Sequence, residues 1–378
     1  MKTAIIGGGI SGLSAAYYLR KLSFENNFPL ELTLFESSDS IGGVFDTINH
    51  EDLIIEQGPD SFITTKPWAL ELVRELGLEN SLINTSEQNR RTFVYINGVL
   101  KALPEGFFMI APTKILPFLK SDFFSWKGKL RILLELLIPA KKVEDESLYS
   151  FITRRFGKEA LYKAAESLIG GIYTSDSKEL SLRATMPEFL EMERKNGSVI
   201  RALMKRSFGG DKDKSGARYS MFYSLKNGMS SLIQKLRLQS EINSLQMNCK
   251  VSGISQSKNR WILSSNEKDE EFDSVVIATP AYISSNIIQR LDPQLSFNLS
   301  EIEYASSVVV NLIYNKSEFK NKPDGFGVVI PPNEKMNLIA CSFYTEKFPE
   351  RTNSDELVMR CFLGCEHSQE VINWDDEK

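Results

Sequence analysis

The first dozen residues carry the chemistry that is easiest to read. Gly7, Gly9 and Gly12 stand in the spacing Gly-x-Gly-x-x-Gly. That spacing suits a main-chain turn passing close to an anion. Gly7 permits the tight turn, Gly9 lets backbone N–H groups approach a pyrophosphate with no Cβ in the way, and Gly12 lets a helix pack closely on the preceding strand. A helix that begins here points its unpaired N–H groups and the positive end of its dipole at the phosphates. Further along, Glu36 stands where a carboxylate would accept hydrogen bonds from a ribose 2′-OH. Taken together these residues read as an adenine-dinucleotide site.

Such a site needs a strand, a turn, a helix and a second strand in that order. Thr3 to Ile6 reads as a short buried strand, Ser11 to Leu22 carries helical apolar spacing at Leu13, Ala16 and Tyr17, and Leu30 to Phe35 reads as a strand ending on Glu36. The stretch Lys21 to Pro29 makes the unit slightly longer than usual. A carboxylate at 36 would repel a 2′-phosphate, which disfavours NADP and leaves FAD and NAD. The Gly42-Gly43 doublet and the run Gly58-Pro59-Asp60-Ser61-Phe62 add two more glycine turns close by, as expected of backbone wrapped around an extended cofactor.

Composition narrows the remaining chemistry. The 378 residues hold 45 Lys and Arg against 49 Asp and Glu, a net charge of −4, with no long basic block, so nucleic acid is not the expected partner. Only His50 and His367 are present, which disfavours histidine-based triads and points to chemistry borrowed from a cofactor. Four cysteines in a chain of this length make no disulfide framework and fit a reducing compartment. Cys361, Cys365 and His367 lack a convincing fourth ligand, so no metal is expected. The glycines after Lys2 argue against a signal peptide, and no run of eighteen apolar residues occurs. The expectation is a cytoplasmic protein, with the inner face of the membrane as the alternative place of peripheral contact.

The fingerprint, Glu36, the glycine doublet and Gly58 to Phe62 resemble the flavin monoamine oxidase superfamily, and within it the porphyrinogen oxidases that act on protoporphyrinogen IX or coproporphyrinogen III. The resemblance extends through Pro112 to Ile115, Gly170-Gly171-Ile172-Tyr173-Thr174-Ser175-Asp176, Leu180 to Leu182, Lys226 to Met229, Val275 to Pro280 and Gly325 to Val328, and so covers nearly the whole chain. It implies an α/β protein, α+β overall, with a Rossmann-like FAD-binding domain and a mixed α+β substrate domain. It implies that Gly7, Gly9, Gly12, Glu36, Gly42, Gly43, Gly58 and Ser61 line FAD, that Val251 meets the adenine through its backbone, and that Ala278 and Thr279 close a strand returning to the cofactor. Val44 stands where the family usually has Lys or Arg, and no second glycine-rich FAD motif precedes Lys378. On the family pattern the cofactor site would lack its C-terminal part, which leaves activity of these 378 residues open.

The resemblance implies oxidation of a porphyrinogen to the porphyrin by O2, with hydrogen peroxide formed, in haem biosynthesis. Coproporphyrinogen III is preferred because the compact chain resembles the bacterial form. No side chain is assigned an acid or base role. Gly170 and Gly171 would bring backbone carbonyls to the macrocycle, a helix C-terminal turn being their other reading. Lys66 and Arg91 match positions near the substrate entrance and suit propionates, although each reads equally well as a solvated charge. Phe348 is a candidate wall for the macrocycle or an ordinary core aromatic. Beyond the porphyrinogen and O2, the resemblance leaves room for peripheral membrane contact, a homodimer and a ferrochelatase-type pathway neighbour. Other readings are a different amine oxidase-like oxidase or desaturase, or a non-catalytic flavoprotein fragment.

The domain expectation is a discontinuous FAD-binding domain over 1–83 and 217–295, a helical substrate-facing or membrane-facing region over 84–216, and an antiparallel sheet over 296–378 with strands at Ser306 to Tyr314, Gly327 to Ile330, Asn337 to Phe343 and Glu356 to Leu363. Gly209 to Gly216 reads as a solvated linker. Lys127 to Pro139 is apolar with a cationic start. Periodicity favours a core helix, while the resemblance implies a membrane-surface patch.

Overall fold

The structure, a computed structural model, describes residues 1–87, 91–141, 143–170, 175–208, 222–266, 268–320, 324–352, 355–364 and 369–375. The chain divides into two compact units, Met1–Asn84 with Met221–Tyr304, and Thr85–Ser220 with Ala305–Lys378.

The first unit is built around strand β1 (Lys2–Ile6), helix α1 (Ile10–Glu25) and strand β2 (Glu31–Phe35). These belong to a four-stranded, all-parallel sheet in the order Ser244–Gln246, β2, β1, Ser274–Ile277. Successive side chains of a strand point to opposite faces, and here both faces are covered. Ile5 packs with Leu13, Ala16 and Tyr17 of α1 and with Leu232, Ile233 and Leu236 of the helix Ser230–Gln239. Ala4 and Ile6 pack with Val251, Ile254, Leu263 and Phe272 of a three-stranded antiparallel sheet. Burial on both sides explains why β1 reads as a continuous apolar run, and each fully buried Ile or Leu contributes about 1.5–3 kcal/mol.

The longer link between α1 and β2 is anchored by a buried cation. Arg20 donates to Leu30 O at 3.0 Å, to Glu241 O at 2.8 Å and to Asn243 Oδ1 at 2.8 Å. Asn243 Oδ1 also accepts from Leu32 N at 2.8 Å, so one guanidinium sets where β2 starts against its neighbour.

The second unit holds a helical layer and a six-stranded sheet, ordered Val308–Asn315, Glu356–Leu363, Leu338–Phe343, Gly327–Val329, Thr92–Ile96, Val99–Ala102. All pairs are antiparallel except Gly327–Val329 with Thr92–Ile96. That parallel pairing ties the residues after 85 to those after 305, so the helical run and the C-terminal strands form one unit. Phe118, Phe123, Phe151, Leu161, Phe189 and Ile200 lie in the helical core. The expected linker at Gly209 to Gly216 lies outside the described residues.

Within the helical layer Arg155 is fully buried. It pairs with Glu135, also fully buried, and lies 3.3 Å from Glu193, which Arg154 also holds at 2.8 Å. Glu135 additionally accepts from Val199 N at 2.8 Å, so it caps the helix Val199–Phe208 while neutralising Arg155. Lys127 to Pro139 folds as the helix Trp126–Leu133 followed by a tight turn of helix over Leu134–Leu137. Its buried side carries Gly128, Lys129, Ile132 and Glu135, while Trp126 (73% exposed), Leu130, Leu134 and Leu137 (79%) face solvent. Among the described residues no helix is long and apolar enough to cross a membrane.

Candidate functional site

The turn between β1 and α1 is set by a neighbouring strand. Gly7 N donates to Phe35 O at 2.8 Å, and Ala278 N donates to Ile6 O at 2.9 Å, which brings Ala278 and Thr279 beside the turn. Gly7 adopts φ +106°, and a Cβ there would lie 2.8 Å from Ala278 O, so both the dihedral and the close approach call for glycine. Gly12 lies in the first turn of α1 against the Gly7 carbonyl. Gly9 differs, since a Cβ added to it would meet nothing within 4 Å. It caps α1 with no side-chain hydrogen bond, and the first helical turn holds no acidic residue. The result is open ground in front of N–H groups and a positive dipole end, which fits the pyrophosphate of FAD.

Glu36 follows β2 and is held rigidly. Its Oε2 accepts from Gly8 N at 2.7 Å, and its Oε1 accepts from Ser38 N at 2.8 Å, Ser38 Oγ at 2.8 Å and Ser37 Oγ at 3.3 Å. Burial works against its charge, but the N–H groups of Ser38 and Gly8 and the two hydroxyls outweigh that effect. They hold the carboxyl below the ordinary carboxylate range, and it is ionised at neutral pH. Oε2 takes one bond and keeps capacity for a second, which suits a ribose hydroxyl. Glu36 O accepts from Cys249 N at 2.8 Å, placing Val251 two residues beyond, at the start of its strand.

The glycine doublet closes over the same turn. Gly42 N donates to Gly8 O at 2.9 Å, and a Cβ on Gly43 would lie 3.4 Å from Gly9 Cα. Gly58 is required by Val44, whose carbonyl oxygen would lie 1.6 Å from a Cβ at 58. Val44 itself is exposed. Ser61 Oγ donates to Asp60 Oδ1 at 2.5 Å. Gly7, Gly9, Gly12, Glu36, Gly42, Gly43, Gly58, Ser61, Val251, Ala278 and Thr279 all belong to the first unit.

Glu56 is a residue of this unit that the sequence did not single out. It is fully buried, accepts from Thr47 Oγ1 at 2.6 Å and from Met229 N at 2.7 Å, and so caps the helix Ser230–Gln239. Thr47 Oγ1 in turn accepts from Ser230 N at 3.0 Å. The run Lys226 to Met229 is the turn that enters this cap, with Lys226 exposed and Met229 buried.

The residues expected to meet substrate are distributed differently. Lys66 belongs to the first unit, Arg91 and Phe348 to the second. Lys66 precedes the helix Pro67–Glu75 with its Nζ 6.0 Å from the centre of the Trp68 ring. Arg91 is exposed and pairs with Asp324 at 2.7 Å, an ion pair weak enough to exchange partners. Phe348 is 0% exposed, with its ring 5.9 Å from that of Tyr344, which agrees with its reading as an ordinary core aromatic. Gly170 ends a ten-residue π-helix, Leu161–Gly170, a rare conformation frequent at functional sites. Gly171 to Thr174 lie outside the described residues.

On that π-helix Glu166 is half-buried and accepts from Ser177 Oγ at 3.0 Å. Burial pushes its carboxyl above the ordinary value, opposed by the Ser177 hydrogen bond, with Asp176 adding repulsion. No motif marks it; its distance of four positions from Gly170 is the only signal in the sequence. Cys365 and His367 lie outside the described residues, and among those described no cluster suits a metal ion.

The sequence model of the flavin containing amine oxidoreductase family matches residues 10–378. The coproporphyrinogen III oxidase of Bacillus subtilis is 33% identical over 375 residues, a match covering 98% of this chain and 79% of the relative. The protoporphyrinogen oxidase of Bos taurus is 31% identical over 406 residues, covering 99% and 82%. Among solved structures, a candidate protoporphyrinogen oxidase from Exiguobacterium sp. 255-15 superposes with a TM-score of 0.86 at 26% identity, covering 100% of this chain and 80% of that one.

Proposed function

The chain belongs to the flavin containing amine oxidoreductase family, and on that premise we propose that it oxidises a porphyrinogen to the porphyrin in haem biosynthesis, with O2 as the electron acceptor and coproporphyrinogen III as the preferred substrate. The observation that carries this reading is the near full-length likeness to porphyrinogen oxidases, with the coproporphyrinogen III enzyme of Bacillus subtilis at 33% identity. The cofactor is FAD. When bound, FAD supplies the hydride acceptor for the reduced bridging carbons and passes electrons on to O2, yielding hydrogen peroxide.

The chain's own part is to bind and to orient. The first turn of α1 holds the pyrophosphate through its N–H groups, and Glu36, fixed by Gly8 and Ser38, accepts from the ribose. Gly42, Gly43 and Gly58 keep the backbone close around the cofactor, with Ser61, Val251, Ala278 and Thr279 beside it. Within the second unit, the backbone at Gly170 would face the macrocycle, and Arg91 would take a propionate by exchanging Asp324 for a substrate carboxylate. No protein nucleophile is needed, in keeping with two histidines in the whole chain.

Membrane contact through the helical layer belongs to the same reading. Trp126, Leu130, Leu134 and Leu137 recur at helical spacing on the solvent side, and Leu116, Lys120 and Lys127 of the same layer are exposed as well. An apolar stripe in a layer that also exposes lysines suits an anionic lipid surface.

The test is fluorescence. With FAD supplied, coproporphyrinogen III converts to the fluorescent porphyrin faster than protoporphyrinogen IX does, with matching O2 consumption. FAD-loaded protein that converts neither porphyrinogen overturns the substrate assignment.

A further inference from the structure

One pair of reactive groups lies outside everything described so far. Cys341 and Cys361 face each other directly across the antiparallel strands Leu338–Phe343 and Glu356–Leu363, and their sulfurs lie 3.7 Å apart. Directly opposed residues in such a pair have Cα atoms about 4.5–5.5 Å apart, inside the range of about 4.4–6.8 Å that a disulfide spans. Closing the bond therefore needs only side-chain rotation, bringing the sulfurs in by roughly 1.7 Å to a length of about 2.05 Å. Both thiols are free, Cys341 buried and Cys361 partly open to solvent. They share one face of the sheet with Val328, Phe343, Leu357 and Met359.

We propose that Cys341 and Cys361 form a peroxide-oxidised dithiol site, closing reversibly to a cross-strand disulfide. The more open Cys361 reacts first. Its thiolate attacks one oxygen of hydrogen peroxide, the O–O bond breaks, and the departing hydroxide takes up a proton to leave as water, giving a sulfenic acid. The Cys341 thiol then attacks that sulfur, the S–S bond forms, and a second water leaves. The two sulfurs give up two electrons and the peroxide oxygens take them. The shared hydrogen bond eases the first ionisation and opposes the second: Cys361 is lowered to about 7, against the effect of its burial, while that bond and burial push Cys341 up. Cys249 is an internal control, buried and bonded to Gln246 Oε1 at 3.6 Å.

The site stands on the sheet geometry alone. The proposed oxidase activity adds only a local source of the oxidant, so the test uses added hydrogen peroxide and no substrate. The full chain, reduced and freed of reductant, is treated with a small excess of peroxide, alkylated, digested with trypsin and mapped. The expected result is a mass loss of about 2 Da, as two thiols become a disulfide, with free thiols falling from the four of the sequence to two. The peptide 336–347 appears linked to 361–378, dithiothreitol reverses the change, and the link persists in a Cys365→Ser chain. Recovery of Cys341 and Cys361 both as alkylated thiols overturns the proposal. So does Cys361 as sulfinic acid beside a free Cys341, or a bond between Cys361 and Cys365.

Discussion

Replacing Glu36 with Gln tests the cofactor site at the point where its electrostatics are best defined. The side chain keeps its shape, but only one of its two terminal atoms can still accept. Oε1 receives three hydrogen bonds and Oε2 one, so the amide oxygen takes the Oε1 place and the NH2 group turns toward Gly8 N. A donor then faces a donor, and the buried Gly8 N–H loses its partner, at about 1–3 kcal/mol of stability. The lost charge-assisted bond to a ribose hydroxyl is worth about 1.5–3 kcal/mol, or roughly 10-fold to 150-fold in FAD affinity. Urea unfolding of the chain without FAD reads the first quantity, and titration of flavin fluorescence reads the second. The folded-state pKa of Glu36 lies below its unfolded value, so its contribution is present above the unfolded value, about 4.3, and is lost as pH falls through the folded one. The difference in urea midpoint between the native and Glu36→Gln chains therefore narrows below about pH 4. Unchanged FAD affinity in the variant would refute the assignment of Glu36 to the ribose. An unchanged midpoint would refute the bond to Gly8 as a stabilising contact.

Two glycines separate fold from function. Gly58→Ala collides with the Val44 carbonyl and lowers the melting temperature sharply, whereas Gly9→Ala, with nothing within 4 Å, melts within a few degrees of the native chain yet weakens FAD binding about 10-fold or more. Glu135→Ala removes the main partner of the fully buried Arg155, leaving it Glu193 at 3.3 Å, and costs about 3–5 kcal/mol in urea unfolding, whereas breaking the exposed pair of Lys195 and Glu191 leaves the urea midpoint essentially unchanged. Leu130→Glu with Leu137→Glu leaves stability near the native value and lowers sedimentation with anionic vesicles about 100-fold, because two exposed leucines stop contributing apolar area.

The parts legible in the sequence were those fixed by local chemistry. The turn at Gly7 needs its φ and its closeness to Ala278, and both are consequences of a short apolar strand running into glycines. The strands after 305 were legible for the same reason, alternation along a half-buried sheet: Leu338–Phe343 alternates partly buried with buried positions throughout. Glu56 was not legible. It is buried because a threonine nine positions earlier and a helix start 173 positions later both donate to it, and no local pattern reports a partner that distant. Phe348 carried two readings, pocket wall or core aromatic, and no local pattern separates them; its packing against Tyr344 and Lys347 is that of a core ring.

The segment from Trp126 to Leu137 shows what periodicity alone leaves undecided: Ile132, Leu133 and Leu136 pack on the helical core, as a core helix would, while other apolar positions face solvent. Apolar residues dominate it, and the usual inference puts them inside. The buried side also serves the guanidinium of Arg155, which is fully buried and requires a carboxylate beside it. Glu135 supplies that carboxylate, and Lys129 turns inward as well, its Nζ donating to Leu119 O at 2.8 Å and lying 4.3 Å from the centre of the Trp126 ring. With an acid and a base committed to the interior, the helical repeat carries Leu130, Leu134 and Leu137 outward. The orientation that exposes the stripe is thus the one that both packs Ile132 on the core and satisfies a buried cation. That makes the stripe testable apart from its proposed lipid partner. In Glu135→Gln one of the two carboxylates facing Arg155 is lost, while the leucines themselves are untouched. If the buried pair sets the orientation, tryptophan fluorescence at Trp126 shifts to shorter wavelength as the segment re-packs; emission identical to the native chain would mean that the outward face is held by other contacts.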